Sequence, residues 1–226
     1  DAQRGYIRDL FGDSDATLAG LLDAALSFLT SRGKTHILTG EYTGNYITPG
    51  IDSRYERLTR FLRARFDDES SLDDMDANLT APLPNAYQTE AIARAEAHGV
   101  RIEPYAGDML PAMRAFVRAL GIDQWFPPGW EEGYEQDRDA FVATRGSGIV
   151  GWTDYDPTSD PMSLGPIGVD PAHRGHGIGT WLIVACMEEG VRRGYERIWA
   201  GWTNSPFYVA NGWRVFRQYI VFEKRL

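Results

Sequence analysis

Hydrophobic residues in the C-terminal half of this chain form short runs, which are separated by turns rich in glycine and proline. One longer apolar run over 178–193 predicts a helix. The turn Arg145-Gly146-Ser147-Gly148 separates two strand-like runs and indicates a β-hairpin. Strands are predicted over residues 100–103, 140–144, 149–155, 162–169 and 195–200. The pattern predicts an α/β (α+β) fold with a mixed, mostly antiparallel sheet flanked by helices.

The N-terminal half repeats part of this pattern more faintly. The helical run Leu21–Leu26 leads to Arg32-Gly33 and a strand-like run, just as Leu182–Met187 leads to Arg193-Gly194 and a strand-like run. Each helix is followed by a glycine, which helix C-termini favour. We interpret the first half as a partial copy of the second, and an unrelated α/β segment is the alternative.

A second helix and a strand are predicted later in the first half. The helix covers 53–66, with Asp52 or Ser53 as its N-cap. Residues 67–79 are acidic at first and are expected to end in a strand. The apolar face of the helix consists of Tyr55, Leu58, Phe61 and Leu62.

Two prolines mark the boundary between the halves. Residues 80–85 contain Pro82 and Pro84 and are typical of a linker, and residues 86–98 are rich in alanine and glutamate and predict a helix. We therefore divide the chain into a degenerate or truncated domain over 1–80, a linker and helix over 81–98, and a second domain over 99–226.

The stretch Ile167–Thr180 joins an apolar strand to a basic, glycine-rich turn and an apolar helix. The first N–H groups of a helix lack intrahelical partners and carry a partial positive charge, so they can bind an anion. Arg174 and His176 add charge, and three glycines allow a phosphate to approach the backbone. These glycines are Gly175, Gly177 and Gly179. We call residues 170–180 the cradle.

The faint copy in the first half lacks these features. Extending the repeat places Asp13 and Asp15 where Arg174 and His176 stand in the second half. Two carboxylates would repel the anion that the cradle attracts. The first half is therefore not expected to bind the same ligand, and we expect it to be structural.

Composition narrows the possible partners and the compartment. The chain has 226 residues and a formal net charge of −9, which disfavours nucleic acid and anionic membranes as partners. No run of apolar residues is long enough for a transmembrane helix, and no signal peptide is visible. Cys186 is the single cysteine, which favours a reducing compartment such as the cytoplasm. The oligomeric state is left open.

The cradle and its surroundings resemble the GCN5-related N-acetyltransferases (GNAT). In that family a glycine-rich loop between the fourth strand and the third helix binds the pyrophosphate of acetyl-CoA. The family pattern continues with a strand, a short helix carrying an Asn and a Phe-Tyr pair, a Gly-aromatic pair and two closing strands. The corresponding residues here are Asn204, Phe207-Tyr208, Gly212-Trp213 and two apolar runs to Phe222. The resemblance covers about 99–226 and points to bacterial tandem-domain members with a degenerate N-terminal half.

The resemblance implies an acyltransferase that moves an acetyl group directly from acetyl-CoA to a primary amine of a small molecule. The backbone of Ile167 and Val169 would bind the pantetheine, and Tyr208 would be the general acid for the leaving thiolate. Asn204 and Phe207 would complete the CoA site. The pyrophosphate would bind at Arg174, Gly175, His176, Gly177, Ile178, Gly179 and Thr180.

The acceptor side is less constrained by motif. Trp125, Trp130 and Tyr134 stand close together and could form an acceptor pocket, or a stacking platform for an amino sugar, or a hydrophobic plug over the sheet. We choose Glu132 as general base from a set that also includes Glu131, Glu135, Asp154 and Asp156. No metal is expected, because His173 and His176 have no carboxylate or cysteine at ligand spacing.

Two other functions remain open at this point. The chain could be an acyl-CoA-binding module without turnover, since the faint first copy indicates that the fold can persist without its cradle. It could also be a peptide or protein N-acetyltransferase, although the long aromatic segment near Trp130 favours a closed site and a small acceptor.

Overall fold

The computed structural model describes residues 3–41, 49–126, 129–203 and 205–226. The chain divides into two compact units. The first consists of Asp1–Asp74, Trp202–Ser205 and Val215–Leu226, and the second of Met75–Gly201 and Pro206–Arg214. The units differ from the division inferred from sequence: residues 75–80 and the linker and helix belong to the second unit, whereas Trp202–Ser205 and most of the last strand belong to the first.

The first unit is built on a small sheet with two helices. Strand β2 pairs parallel to β1 and antiparallel to β10, and β3 also pairs antiparallel to β10. Its core contains Leu18 and Leu22 of α1 and Phe61 and Leu62 of α2. The elements are β1 (Arg4–Tyr6), α1 (Asp15–Ser31), β2 (His36–Leu38), β3 (Ile51–Asp52), α2 (Glu56–Arg63), the start of β4 (Asp68–Asn78) and most of β10 (Arg214–Arg225).

Helix α2 begins later than its sequence suggests, and the predicted N-cap is wrong. The N-cap is Tyr55, which makes no capping hydrogen bond and is 55% exposed. Asp52 is instead buried in β3, where its carboxylate accepts hydrogen bonds from the backbone N–H of Arg54 and from the guanidinium groups of Arg54 and Arg217. The paired guanidinium of Arg54, rather than a helix end, holds the pKa of this carboxyl well below its usual range.

The second unit is a sheet with helices on both faces, as predicted. The strand order is β4-β9-β8-β7-β6-β5, and all pairs from β5 to β8 are antiparallel, whereas β8 and β9 are parallel. Strand β8 and helix α6 have the predicted bounds. The elements are α3 (Ala86–Ala97), β5 (Arg101–Pro104), α4 (Leu110–Leu120), α5 (Trp130–Gly133), β6 (Ala140–Arg145), β7 (Gly148–Asp156), β8 (Met162–Val169), α6 (Ile178–Arg193), β9 (Arg197–Thr203) and α7 (Ser205–Ala210).

Local sequence explains where these helices begin and end. Asn85 and Gln88 form a capping box at the start of α3, in which each side chain accepts from the backbone N–H of the other residue. Helix α4 ends at Gly121, which has a φ of 61° and adopts the left-handed conformation that glycine tolerates. The apolar face of α4 packs with Trp152 in one core cluster, and α6 contributes to two others.

The prediction of two closing strands is wrong. A single strand of twelve residues, β10, follows Gly212-Trp213. Residues 214–225 contain no Gly, Pro, Asn or Asp, so nothing in this run favours a turn. The sheet neighbour of β10 is instead β4, which comes from the first half of the chain. Strand β4 lies beside β10 within the first unit and beside β9 within the second.

Strand β4 is hard to recognise because its sequence, DESSLDDMDAN, is rich in residues that strands disfavour. In the part of β4 that belongs to the second unit, the carboxylate of Asp76 is only 2% exposed. It forms ion pairs with Arg197 of β9 and Arg214 of β10. The buried carboxylate thus has two counter-charges, both of which reach solvent.

We predict that losing the two arginines costs more than losing the carboxylate. Replacing Arg197 and Arg214 together by methionine leaves Asp76 buried and uncompensated, and should lower the free energy of unfolding by about 3–5 kcal/mol. Asp76→Asn leaves two arginines that are already 48% and 74% exposed, and should cost about 1 kcal/mol. Urea unfolding measures both variants, and equal losses would show that the charges do not hold β4 in place.

Candidate functional site

Strands β8 and β9 pair over only two residues and then separate. Met162 and Ser163 of β8 are registered with Ile198 and Trp199 of β9, and no pairing of the described residues follows. Strand β8 continues to Val169 and stays paired with β7 on its other side. A gap therefore opens between two adjacent strands, next to backbone groups of β8 that have no strand partner.

The hydrogen bonds of the β7–β8 pair show which backbone groups face this gap. The N–H of Asp170 donates to the carbonyl oxygen of Val150 at 3.0 Å. Because backbone groups of an antiparallel strand alternate sides, Gly168 also faces β7, and Ile167 and Val169 face away from it. Ile167 and Val169, which the family resemblance assigns to pantetheine binding, thus present their N–H and C=O groups to the gap.

The cradle follows β8 directly and is shaped by its own hydrogen bonds. Asp170 accepts from the backbone N–H of Ala172 at 2.8 Å and starts a short 3-10 helix over Pro171–His173. The guanidinium Nε of Arg174, whose side chain is exposed, donates to the carbonyl of Val169 at 3.2 Å. Arg174 thus lies across the junction between strand and turn, with its other guanidinium N–H groups available for a ligand.

Helix α6 begins without a side-chain cap. Its N-cap, Gly177, has a φ of 82° and no side chain that could accept from the first N–H groups. The side chains of Ile178 and Thr180 are buried in the core, so only their backbone groups can serve a ligand. An uncapped start to a helix of sixteen residues is a site where an anion is stabilised.

The three cradle glycines have different surroundings. A Cβ at Gly175 would meet open space. A Cβ at Gly177 would overlap the carbonyl group of Ala91 in α3, and a Cβ at Gly179 would lie 3.0 Å from the ring of Phe207. Gly177 is therefore needed for packing against the backbone of α3, and Gly179 allows close contact with the side chain of Phe207 in α7.

The structure places Tyr208 and Phe207 beside the strand that lines the gap. Both belong to or pack against the core cluster that Ile167 also contacts. Tyr208 is buried, and burial, followed by the nearby Cys186 thiol, raises the pKa of its phenol well above the usual value. The phenol therefore remains protonated at neutral pH. Asn204, the remaining predicted CoA ligand, lies outside the described residues.

The predicted acceptor residues line one pocket of about 440 Å³. Trp125, Trp130 and Tyr134 form its aromatic wall, and Glu132 lines it with an exposed side chain. The pocket also includes Gly165 and Pro166, which come shortly after the last residues of β8 that pair with β9. It thus reaches β8 where the gap begins.

Asp154 is the most enclosed carboxylate of this pocket and was only one of several candidates in the sequence. It accepts hydrogen bonds from the Tyr134 hydroxyl at 2.7 Å, from Trp152 Nε1 at 2.9 Å and from the Arg138 guanidinium at 3.2 Å. Burial raises its pKa above the usual value. A strand-end Asp next to aromatic residues was the available signal. Trp152 lies two residues away on the same strand, but Tyr134 and Arg138 come from other parts of the chain, which sequence spacing does not relate to Asp154.

No group of three or more His, Cys, Asp or Glu among the described residues could hold a metal ion. Within the same residues, no helix is both long and apolar enough to cross a membrane.

A family model described as "Acetyltransferase (GNAT) domain" matches residues 136–215, which run from before β6 to the start of β10. This part of the chain is a GNAT domain. The matched residues include the gap, the cradle and Tyr208. No curated protein matches the sequence.

Solved structures share this fold across nearly the whole chain. One is a GCN5-related glucosamine N-acetyltransferase region of a fungal multi-domain GH3 β-N-acetylglucosaminidase (19% identity, TM-score 0.66), where the similarity covers 94% of this chain and 28% of that protein. Another is a GCN5-related N-acetyltransferase from Sphaerobacter thermophilus (16%, 0.63), covering 92% and 67%. A third is a tandem GNAT protein from the clavulanic acid biosynthesis pathway (14%, 0.59), covering 99% and 75%. At these identities the similarity is one of fold.

We predict that the glycines of the GNAT cradle differ in their tolerance of a methyl group. Gly177→Ala combines left-handed strain with overlap against α3, and should lower the free energy of unfolding by roughly 2–5 kcal/mol. Gly175→Ala has a similar φ but open space, and should cost about 1 kcal/mol. Urea unfolding compares the two variants. Similar losses would mean that α3 does not constrain the cradle.

Proposed function

We propose that this chain is an acetyl-CoA-dependent N-acetyltransferase that transfers an acetyl group directly to a primary amine of a small molecule. The observation that carries the proposal is the gap between β8 and β9 within the GNAT domain. The gap has an uncapped helix start and Arg174 at one end and an aromatic pocket with carboxylates at the other. A donor thioester and an acceptor amine could meet where the two strands separate.

Binding of the donor would use charge at one end and backbone groups along the gap. The N–H groups at the start of α6, with Arg174, would bind the pyrophosphate. The carbonyl of Val169 already accepts from Arg174. The N–H groups of Ile167 and Val169 and the carbonyl of Ile167 would therefore bond the amides of the pantetheine, and a backbone N–H of β8 would stabilise the tetrahedral oxyanion. Phe207 would pack beside the pantetheine, because its ring already lies against Gly179.

The chemical step requires that the amine lose a proton and that the thiolate gain one. We assign Glu132 as the base, because its carboxylate lines the pocket and is exposed. Asp154 already accepts from three donors, so we assign it the role of positioning Tyr134 and Arg138. Tyr208 would donate its proton to the leaving thiolate, because its phenol is protonated at neutral pH.

An amino sugar is the acceptor that we propose first. Sugar rings stack on aromatic side chains, and Trp125, which is 40% exposed, provides such a surface in the pocket, whereas Trp130 is buried and packs on Phe126. Glu132, Asp154 and Asp156 favour a cationic amine over an anionic one. The fungal protein of similar fold is described as a glucosamine N-acetyltransferase region, which is consistent with this choice.

We predict that reversing the charge of Arg174 weakens acetyl-CoA binding. Arg174→Glu places a carboxylate beside the phosphates and should raise the Kd roughly ten- to a hundredfold, measured by isothermal titration. Arg192→Glu makes the same charge change at the far end of α6, about 20 Å along the helix, and should leave the Kd within about twofold. Glucosamine, other amino sugars and simple amines are then screened by release of free CoA.

The outcomes of this experiment separate the possible functions. Binding to the wild type with release of CoA in the presence of an amino sugar supports the full proposal. Binding without turnover of any amine would favour an acyl-CoA-binding module. No binding to the wild type would overturn the acetyltransferase proposal altogether.

We predict distinct kinetic effects for the two proposed proton-transfer groups. Tyr208→Phe removes only a hydroxyl and should lower kcat roughly 10²- to 10⁴-fold with acetyl-CoA affinity unchanged. Glu132→Gln should lower kcat/KM by a similar factor. Unchanged kcat in Tyr208→Phe would leave Tyr208 a packing residue, and unchanged kcat/KM in Glu132→Gln would exclude Glu132 as the base.

A further inference from the structure

We propose that His98 of α3 is a positioning residue of the CoA site, which holds the cradle through two of its histidines and couples phosphate binding to proton uptake. His98 lies outside the GNAT family match of 136–215. The inference rests on the proposed function, because the phosphates in question are those of CoA.

The geometry of three imidazole rings carries this inference. The ring of His98 stacks on that of His176, with centroids 3.8 Å apart and planes at 14°. Its Nε2 lies 3.1 Å from Nδ1 of His173. His173 and His176 belong to the cradle, and His98 follows the last residue of α3. One side chain from another helix thus contacts both histidines of the anion-binding turn.

The hydrogen bonds restrict where protons can reside. His176 Nδ1 lies within hydrogen-bond distance of the carbonyl oxygens of His173 and Arg174, at 3.2 and 2.9 Å, so this nitrogen carries a proton and donates. Between His98 and His173 one nitrogen must donate and the other accept. His98 can therefore take up a proton and keep the bond, whereas protonation of both rings would place two N–H groups against each other.

The side chains that shift the pKa of His98 are all basic. The pKa of His98 is lowered by burial first, and then by His176, Arg145 and His173. Arg145 lies at the end of β6, and its Nε donates to the carbonyl of His98 at 2.9 Å. No carboxylate is among the groups that shift the pKa of His98. An anion bound at the cradle would supply the missing negative charge.

The sign of the coupling follows from this arrangement. A pyrophosphate favours the protonated imidazole, so it raises the pKa of His98 from its lowered value in the free protein. Between these two pKa values, binding takes up a fraction of a proton, and affinity increases as the pH falls. Above both values there is no uptake, and the affinity no longer depends on pH.

Helix α3 also supports the cradle at a second point, which explains why its histidine can position the turn. Gly177 packs so closely on the backbone of Ala91 that no Cβ fits between them. Ala91 and His98 lie about two turns apart on the same helix. The cradle is thus held by α3 through backbone contact at one point and through the His98 ring at another.

The test uses 3′-dephospho-CoA, because its pyrophosphate diester does not titrate near neutral pH, whereas a phosphate monoester has a pKa of about 6. Isothermal titration from pH 8.5 to 5.5, in buffers of different ionisation enthalpy, gives both the Kd and the number of protons taken up. For the wild type we expect uptake of a fraction of a proton near pH 6.5. We also expect a Kd about three- to tenfold lower at pH 6 than at pH 8.

Two substitutions distinguish the effect of protonating His98 from the effect of its contacts with His173 and His176. His98→Gln keeps an amide that can bond His173, and His98→Phe keeps a ring that can stack on His176, but neither side chain titrates. Each should remove at least half of the proton uptake. The chain has four histidines, and the fourth, His36 of β2, pairs with Glu223 in the first unit. His36→Gln is the control and should leave the uptake unchanged.

Each result has a defined meaning. Lost uptake in both His98 variants, with the control unaffected, supports the inference. Wild-type binding without proton uptake, or uptake that survives in both His98 variants, would overturn it and leave the proposed function intact. No binding of dephospho-CoA or acetyl-CoA to the wild type would overturn the proposed function and this inference together.

Discussion

The short pairing between β8 and β9 is the constraint on which the rest of the candidate site depends. If pairing continued beyond Ser163 and Trp199, the backbone groups of Ile167 and Val169 would be used within the sheet. Because the strands separate instead, these polar groups need another partner. The cradle, the gap and the aromatic pocket are arranged along this one interruption, which gives an extended ligand both a charged end and a backbone edge to bind.

The two halves of the chain offer an internal comparison of helix starts. Helix α1 begins with Ser14, whose hydroxyl accepts from the N–H of Thr17, and Asp13 accepts from the Thr17 hydroxyl. Side chains of the protein thus satisfy the start of this helix. Helix α6 begins with a glycine and has no such cap. The start of α1 is therefore closed by the side chain of its N-cap, Ser14, whereas the start of α6, with Gly177 as its N-cap, is open to an anion.

Much of the second unit could be predicted from its sequence because periodicity and turn signals agree there. The bounds of β8 follow from an apolar run. The bounds of α6 follow from a second apolar run with a glycine at each end. Prediction was less complete where long-range contacts stabilise an element. A strand was expected only near the end of 67–79, but β4 covers Asp68–Asn78, and the partners of its buried Asp76, Arg197 and Arg214, are more than a hundred positions away.

The same limit applies to the site. The cradle could be found from sequence because its residues are contiguous, and the aromatic pocket could be found because Trp125, Trp130 and Tyr134 are close in the chain. The roles of individual glycines could not, since Gly177 is required by Ala91 and Gly179 by Phe207. Asp154 and His98 depend on donors and rings from other elements, so only a three-dimensional structure relates them.

Local charge, rather than net charge, decides whether an acidic chain can bind CoA. The protein has a formal net charge of −9, which opposes an anionic ligand at long range. Salt screens that repulsion beyond about 8 Å at physiological ionic strength. Within that distance of the cradle lie Arg174 and the open start of α6, while the carboxylate of Asp170 already accepts from the N–H of Ala172, and no carboxylate shifts the pKa of His98. Glu132, Asp154 and Asp156 line the aromatic pocket at the acceptor end, where the proposed ligand is a cationic amine. This separation of charge gives the two ends of the gap opposite preferences, so each substrate is favoured at one end and disfavoured at the other.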